Sequence, residues 1–464
     1  MMKRILYFVF WVIFCTSCGN FLEEYSQDLV YAQSCEDLDE ILIGNGYMAQ
    51  PTTPSYFSYG DKAFYYPYLH VMDDDIEEYL TGNANISSSI NPVTTLRNFY
   101  IWAKEPFMRI SGLTFRDYDW KRMYEHIGYL NVIISYVKEF HEDSEEMRHR
   151  ILGEAQFLRA GYYFMLVNLY ANPYSKETAD ATMGVPLNLT EYIEEGYFSR
   201  DPVAAVYRQI VTDLENAIVN LSGIKQPTIY RVNEKAARAL LSRVYLYMGE
   251  WQLVIDECDE IIKMGCSLWD LNNFDPGTAT FGCKRDYFLA KESPEIFFTQ
   301  GAGVVGLLMD NQNITSQTRY RASDELYGIY SKYEKDGILD LRKNCFFEMS
   351  KRDNGYFFVR KNPMFDATVF DSFLLRSGEI YLNKAEAQAM LDQADAINTM
   401  KELMNKRYAD HKLPVIDGLS GKELIQFIRE ERRKELCFEG HRWFDLRRYA
   451  VSPKYPETKA ITHV

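Results

Sequence analysis

The segment from Ile428 to Tyr449, IREERRKELCFEGHRWFDLRRY, constrains the fold more than any other part of the chain. Apolar residues recur there at helical spacing from Leu424, and steps of four and three along that stripe also fall on Glu431 and Glu435. A carboxylate that faces a core needs a partner, because burying an unpaired charge is costly. The chain is therefore expected to fold so that cations surround this helix.

Arginines in the same segment can supply those cations. An arginine guanidinium binds a carboxylate through two parallel hydrogen bonds, so it suits a buried pair. We predict a structural ion network that joins this helix to other elements. Its predicted members are Arg429, Glu431, Arg432, Glu435, Glu439, Arg442, Asp445 and Arg448.

A catalytic alternative exists for the same two carboxylates. Glu431 and Glu435 project from one helix face about 5–6 Å apart at Cβ, which resembles the carboxylate pair of a glycosidase. A general acid needs a raised pKa, however, and neighbouring arginines lower the pKa of a carboxyl group. The structural interpretation is therefore favoured.

This segment resembles the C-terminal signature of the SusD/RagB family of outer-membrane nutrient-binding lipoproteins, IR-x-ER-x-x-EL-x-FEG-x-R-x-x-DL-x-R. The matching residues are Ile428, Arg429, Glu431, Arg432, Glu435, Leu436, Phe438, Glu439, Gly440, Arg442, Asp445, Leu446 and Arg448. A second resemblance lies in EAQFLRAGYYFMLVNLYA, from Glu154 to Ala171, which is followed by Val185-Pro186-Leu187. The resemblance covers most of the chain.

The resemblance implies both a fold and a function. The implied fold is mainly α, SusD-like, with interrupted tetratricopeptide-type helix pairs and long irregular insertions that carry short helices and hairpins. The implied function is that of a surface lipoprotein of the outer membrane, which binds a nutrient, usually an oligosaccharide, and delivers it to a SusC-type TonB-dependent transporter. RagB-type relatives are associated with peptides, so a peptide ligand is an alternative, and a glycoside hydrolase is a further one.

Helical periodicity places the helix pairs within one domain that spans residues 18–464. The pairs are expected at about 119–171, 201–264 and 374–440, with Asp201 as a cap before Pro202, Asn233 as a cap and Gly249 as a break. Two irregular insertions, at about 46–118 and 266–372, separate the pairs. Structureless loops of this length are uncommon unless they are functional, so the insertions are expected to face the ligand.

The composition indicates what the insertions bind. Aromatic residues make up 15% of the chain, a surplus that predicts exposed rings, and the net charge of −15 argues against nucleic acid as a partner. Aromatic faces stack on the C–H faces of sugars. The predicted ligand-binding residues are Tyr65, Tyr66, Trp102, Trp269, Asn272, Tyr287, Arg319 and Tyr320.

The first residues have the pattern of a lipoprotein signal peptide. Lys3 and Arg4 precede an apolar run that is too short for a permanent membrane helix. Small residues then lead to Cys18, a relaxed lipobox in which Cys15 stands at the usual leucine position. We expect residues 1–17 to be removed, with Cys18 lipidated. Several acyl chains on one cysteine would give a firm membrane anchor.

Other motifs in the chain favour structural roles. The acidic run from Asp73 to Glu78 lacks the spacing of a calcium loop and predicts a solvated turn. The formal dinucleotide fingerprint from Gly301 to Gly306 has no βαβ pattern around it, so a glycine turn is predicted. The sequence contains none of the H-E-x-x-H, G-x-S-x-G or phosphate-loop motifs, and we expect a binding protein without cofactor, metal or catalytic residues. The cysteines after Cys18 are interpreted as small apolar residues.

Overall fold

The computed structural model describes residues 32–50, 64–79, 92–108, 112–192, 198–275, 287–309, 319–349, 355–357, 361–362 and 367–463. The predicted signal peptide, Cys18 and Cys15 lie outside these residues. None of the helices within the described ranges has the length and apolar character needed to cross a membrane.

The protein is mainly α-helical, as the sequence predicts. The helices are α1 (Cys35–Ile41), α2 (Pro92–Tyr100), α3 (Tyr118–Tyr136), α4 (Glu145–Tyr170), α5 (Val203–Leu221), α6 (Glu234–Met248), α7 (Trp251–Lys263), α8 (Val305–Leu308), α9 (Asp324–Ile329), α10 (Arg342–Phe346), α11 (Ser377–Met390), α12 (Asp395–Met404), α13 (Gly421–Leu436) and α14 (Arg442–Ala450). The long helices pack in sequence order, α3 on α4, α4 on α5, α5 on α6 and α6 on α7. Helix α11 then packs on α7, α12 and α13.

Local capping explains where several helices begin and end. Asn233 accepts a hydrogen bond from the Ala236 amide and caps α6, while Gly249 ends that helix in the left-handed region at φ +75°. The predicted cap at Asp201 is wrong, because Pro202 occupies the cap position and α5 begins at Val203. The carboxylate of Asp201 instead accepts a hydrogen bond from the backbone amide of Leu187.

The strands form three small antiparallel pairs. Strand β1 (Ile76–Tyr79) pairs with β3 (Arg319–Ala322), β2 (Ile296–Gln300) with β6 (Phe373–Arg376), and β4 (Glu348–Met349) with β5 (Tyr356–Phe357). Because β2 pairs antiparallel and only the four-residue α8 follows it, the glycine fingerprint does not form a dinucleotide-binding unit. Gly301 has a φ of +94° and makes the turn after β2, as predicted.

The acidic run is not the solvated turn that the sequence suggests. Asp73, Asp74 and Asp75 are all buried, and their carboxyl groups lie within 4.8 Å of one another. Asp74 is bonded to Arg442 through two oxygens, at 2.6 and 2.8 Å, and Asp75 accepts a hydrogen bond from Arg433 at 2.7 Å. The turn therefore contributes carboxylates to the protein interior, and arginines supply the opposite charge.

Candidate functional site

Glu435 lies at the centre of the buried charges on α13. Its carboxylate accepts hydrogen bonds from Arg376 at 2.7 Å, from Arg407 at 2.9 Å through two nitrogens, and from Arg342 at 3.2 Å. All four side chains are buried. Burial alone would raise the pKa of Glu435, but the guanidinium groups of Arg407 and Arg376 hold it well below its usual range.

Glu431 lies one turn earlier on the same helix and is also fully buried. It accepts hydrogen bonds from Arg342 at 2.6 Å and Tyr408 at 2.8 Å and forms an ion pair with Lys434. Burial opposes the ionised form, yet Arg342 and Lys434 lower the pKa of Glu431 to about 2. Neither Glu431 nor Glu435 can hold a proton at neutral pH, so this pair lacks the general acid that a glycosidase needs.

The other predicted members of the ion network are engaged in similar contacts. Their ion pairs are Arg376–Glu439, Lys361–Glu439, Arg432–Asp445, Arg448–Asp445, Arg448–Glu386, Arg442–Asp74 and Arg429–Glu457. Four of these seven pairs involve partners far from the segment in sequence, including Arg376 before α11 and Glu386 within it. Sequence reasoning missed these partners, because no local pattern distinguishes Arg342, Arg376 or Arg407 from a surface arginine.

Three of the rings predicted to bind ligand are core residues. Tyr66 is 1% exposed and donates a hydrogen bond to the Ser372 carbonyl at 2.8 Å, and Tyr65 lies under the guanidinium of Arg122, 4.0 Å from the ring centroid. Tyr320 is fully buried against Tyr100, with the ring centroids 5.4 Å apart. Their ring faces are covered by protein, so these three assignments are corrected to packing roles.

Two of the residues predicted in the second insertion, Asn272 and Trp269, make contacts within the protein. Asn272 uses its amide to bond Asp270, the Tyr408 carbonyl and the Asp410 amide, so its polar groups hold a turn. The ring of Trp269 packs on Phe274 and Phe288. Tyr287 is half-buried, and the side chain of Arg319 lies outside the described part of the chain.

Trp102 is different, because its ring is 40% exposed. It follows α2 at a position that glycine usually occupies. The amide of Ala103 donates to the Asn98 carbonyl at 2.8 Å and that of Trp102 to the Phe99 carbonyl at 3.1 Å, the two bonds of a Schellman motif. Trp102 has a φ of +48°, and holding a bulky residue there costs of the order of 1–3 kcal/mol.

Two further rings lie beside Trp102. The Trp443 centroid lies 6.3 Å away at an interplanar angle of 32°, and the His463 ring stacks at 4.9 Å and 27°. The indole N–H of Trp102 donates a hydrogen bond to the Met72 carbonyl at 3.1 Å, which holds the orientation of the indole ring. We call Trp102, Trp443 and His463 the aromatic platform. Sequence reasoning missed Trp443 and His463, since the first lies inside the charged segment and the second lies outside both insertions.

The described residues thus form a mainly helical protein with a buried charge network and a cluster of three rings, of which Trp102 is exposed and Trp443 and His463 are half-buried. Residues 73–246 match a family model described as starch-binding and associating with the outer membrane, and residues 363–462 match the model of the SusD family. The chain belongs to the SusD/RagB family.

Individual proteins agree with this assignment. SusD-like protein P25 of Formosa agariphila is 23% identical to this chain over an alignment of 502 residues, gaps included. The alignment covers 97% of this chain and 90% of that protein. Among solved structures, a SusD superfamily protein from Bacteroides thetaiotaomicron has a TM-score of 0.69 at 22% identity, covering 93% of this chain and 92% of its own. A laminarin-binding SusD-like protein has a TM-score of 0.57 at 21% identity, covering 90% and 89%. At these identities the structural likeness concerns the fold.

Proposed function

We propose that this protein is a surface-exposed outer-membrane lipoprotein that binds a nutrient oligosaccharide and delivers it to a SusC-type TonB-dependent transporter. Family membership supports the class of protein. The laminarin-binding relative supports a glycan as the class of ligand. The predicted lipid on Cys18 would hold the protein at the membrane.

The conformation of Trp102 is the observation that carries the ligand-binding part of this proposal. An exposed ring face that is fixed by an indole hydrogen bond loses little conformational entropy when a ligand stacks on it. Sugar rings present faces of C–H groups, which pack on such aromatic surfaces. Trp443 enlarges the apolar area beside it, and Ile101, also exposed, extends it further.

The same geometry makes a hydrolase the weaker candidate. The platform brings together aromatic rings, whereas the two carboxylates of the glycosidase hypothesis, Glu431 and Glu435, are buried and held ionised by arginines. A peptide is the alternative ligand, and the binding experiment below compares peptides with glycans.

We predict that the purified protein binds a glycan on an array that includes laminarin, and that Trp102→Ala weakens this binding by roughly fivefold or more. The loss of one stacking ring removes about 1–3 kcal/mol of contact energy, and about 1.4 kcal/mol corresponds to a factor of ten. Titration calorimetry with the glycan found on the array measures the change.

Tyr192→Ala is a matched control, because Tyr192 is an exposed ring outside the platform. Its affinity should equal that of the wild type. Equal affinities for Trp102→Ala and the wild type, with both proteins folded, would contradict the placement of the site. Binding of the protein to peptides but to no glycan, on an array that carries both, would contradict the proposed class of ligand.

A further inference from the structure

One face of Trp102 is covered by the last described stretch of the chain. Residues 452–463, here called the strap, leave α14 and return to the acidic turn, where Lys459 forms ion pairs with Asp74 and Glu325. Beyond Lys459, the ring of His463 enters between Tyr100, at a centroid distance of 4.0 Å and an angle of 3°, and Trp102. The strap therefore contributes the imidazole of the aromatic platform.

Both nitrogens of that imidazole face carbonyl oxygens. Nε2 lies 2.9 Å from the Asp73 carbonyl oxygen, and Nδ1 makes a short contact with the Tyr100 carbonyl oxygen. A carbonyl oxygen can only accept a hydrogen bond, so both contacts require an N–H group. A neutral imidazole carries one N–H and an imidazolium carries two. The observed position therefore suits the charged form of His463.

The two flanking rings favour the same form. A cation placed over an aromatic face is attracted by the negative face of the ring, and this attraction is stronger where water is partly excluded. His463 lies parallel to Tyr100 and nearly parallel to Trp102. Loss of the proton would remove one hydrogen bond and the cation–π attraction together, and would leave a nitrogen lone pair facing a carbonyl oxygen.

The structure assigns to His463 a regulatory role: we propose that it is a proton-dependent latch, which covers one face of Trp102 when charged and releases that face when neutral. This inference rests on the proposed function, since it concerns access to the same site. Histidine is the side chain suited to such a change, because its imidazole carries one N–H when neutral and two when charged.

Titratable groups on the acidic turn, the strap, α14, α2 and β1 lie near His463, so the test relies on a variant of His463 itself. From the acidic turn, Asp74 is bound by Arg442 of α14 and by Lys459 of the strap, and burial together with the charge of Asp75 raises the pKa of Asp73 well above its usual range. From α2 and β1, Arg97 pairs with Glu78, and Tyr100 accepts a hydrogen bond from the amide of Glu78.

Tryptophan fluorescence tests the latch without any ligand. An imidazolium stacked on an indole quenches its emission, and a covered ring face is shielded from the collisional quencher acrylamide. In the wild type we expect emission to increase from pH 5 to pH 8, and acrylamide to quench more efficiently at pH 8 than at pH 6. The difference between the wild type and Trp102→Phe isolates the contribution of this ring.

His463→Phe is the matched variant, because it retains an aromatic ring but can neither donate hydrogen bonds nor titrate. It should lose the pH dependence of both signals. An unchanged amplitude and midpoint in His463→Phe would overturn the proposal. Hydrogen exchange of the strap amides provides a second measurement, with faster exchange expected at pH 8, after correction for intrinsic rates, in the wild type only. Equal corrected rates at pH 6 and pH 8 in the wild type would also contradict the latch.

The outcome separates this inference from the proposed function. If the fluorescence change depends on His463 but no glycan binds, the latch stands and the ligand assignment fails. If a glycan binds at Trp102 but the pH dependence persists in His463→Phe, the function stands and the latch fails. With both correct, glycan affinity should be about fivefold higher at pH 8 than at pH 6, and His463→Phe should remove this difference.

Discussion

The carboxylate of Glu435 is shared by three guanidinium groups. It stabilises the fold because its negative charge offsets their positive charges in the interior. Removing it leaves Arg342, Arg376 and Arg407 close together in the interior without their common partner. The cost then comes from the buried charges that remain rather than from the bonds that are lost.

We predict that Glu435→Ala lowers the free energy of unfolding by about 3–5 kcal/mol. Urea denaturation measures the change. Glu430→Ala is the control on the same helix, because Glu430 pairs with Lys332 near the surface, where such a pair contributes at most about 1 kcal/mol. Similar losses of unfolding free energy in the two variants would contradict a structural role for the buried charge. Glu435→Gln keeps the shape of the side chain, so its loss should fall between those of Glu430→Ala and Glu435→Ala.

The ligand-facing residues show the limit of prediction from residue types. Tyr66 and Trp102 both lie in an aromatic, irregular insertion, so their residue types offer equal reason to place each at the ligand. The structure buries Tyr66 in a core beneath the loops and exposes Trp102. Tertiary packing distinguishes them, and the Schellman motif that positions Trp102 gives no sequence signal when tryptophan replaces the usual glycine.

At the scale of elements, the turn after β2 is held by an acid and a neighbouring base. The carboxylate of Asp371 accepts hydrogen bonds from the amides of Val304 and Val305, and His70 lies 3.9 Å from it. Burial raises the pKa of Asp371 to about 7 and lowers the pKa of His70 to about 4. Both groups are therefore neutral in the fold between about pH 4 and 7.

The two groups have opposite effects on stability. Asp371 binds its proton more tightly in the folded state, so its contribution is lost as pH rises through about 7. His70 binds its proton less tightly when folded, so its contribution is lost as pH falls from about 6.5 towards 4. The contributions oppose each other between about pH 4 and 6.5, and this pair adds little net pH dependence there.

We predict that single substitutions reveal these opposed contributions. Relative to the wild type, Asp371→Asn should become more stable as pH rises from 4 to 6.5, and His70→Asn should become less stable, each by up to roughly 1 kcal/mol per pH unit. Chemical denaturation at several pH values measures both profiles. Parallel profiles for the two variants would contradict the assignment.

Element boundaries follow largely from local sequence. The stripe of α3, the cap at Asn233 and the break at Gly249 are short-range signals, and the structure has helices where they predict them. The partners of the acidic turn, in contrast, lie hundreds of positions away, since Arg433 bonds Asp75 and Arg442 bonds Asp74. This explains why the buried acidic turn at Asp73–Asp75 was predicted as solvated.

At the scale of the whole molecule, the membrane anchor stays a prediction because Cys18 lies outside the described residues. We expect Cys18→Ala to release the protein from the membrane fraction and to abolish labelling with palmitate, since lipidation requires the thiol. Cys15→Ala is the control and should remain bound and labelled. Labelling of Cys18→Ala at the level of the wild type would contradict the lipobox.

The contacts between the acidic turn and α13–α14 also determine when the chain can finish folding. Arg433 bonds Asp75 across 358 positions, and Arg442 bonds Asp74 across 368. Synthesis begins at the amino terminus, so these aspartates emerge long before the arginines that neutralise them. Until then the turn cannot be buried without uncompensated charge. The Met72 carbonyl beside it, which accepts the hydrogen bond of the Trp102 indole, is then not held in place. An incomplete copy of this protein therefore stays open to proteases, and only a chain extending through α14 can close its own interior.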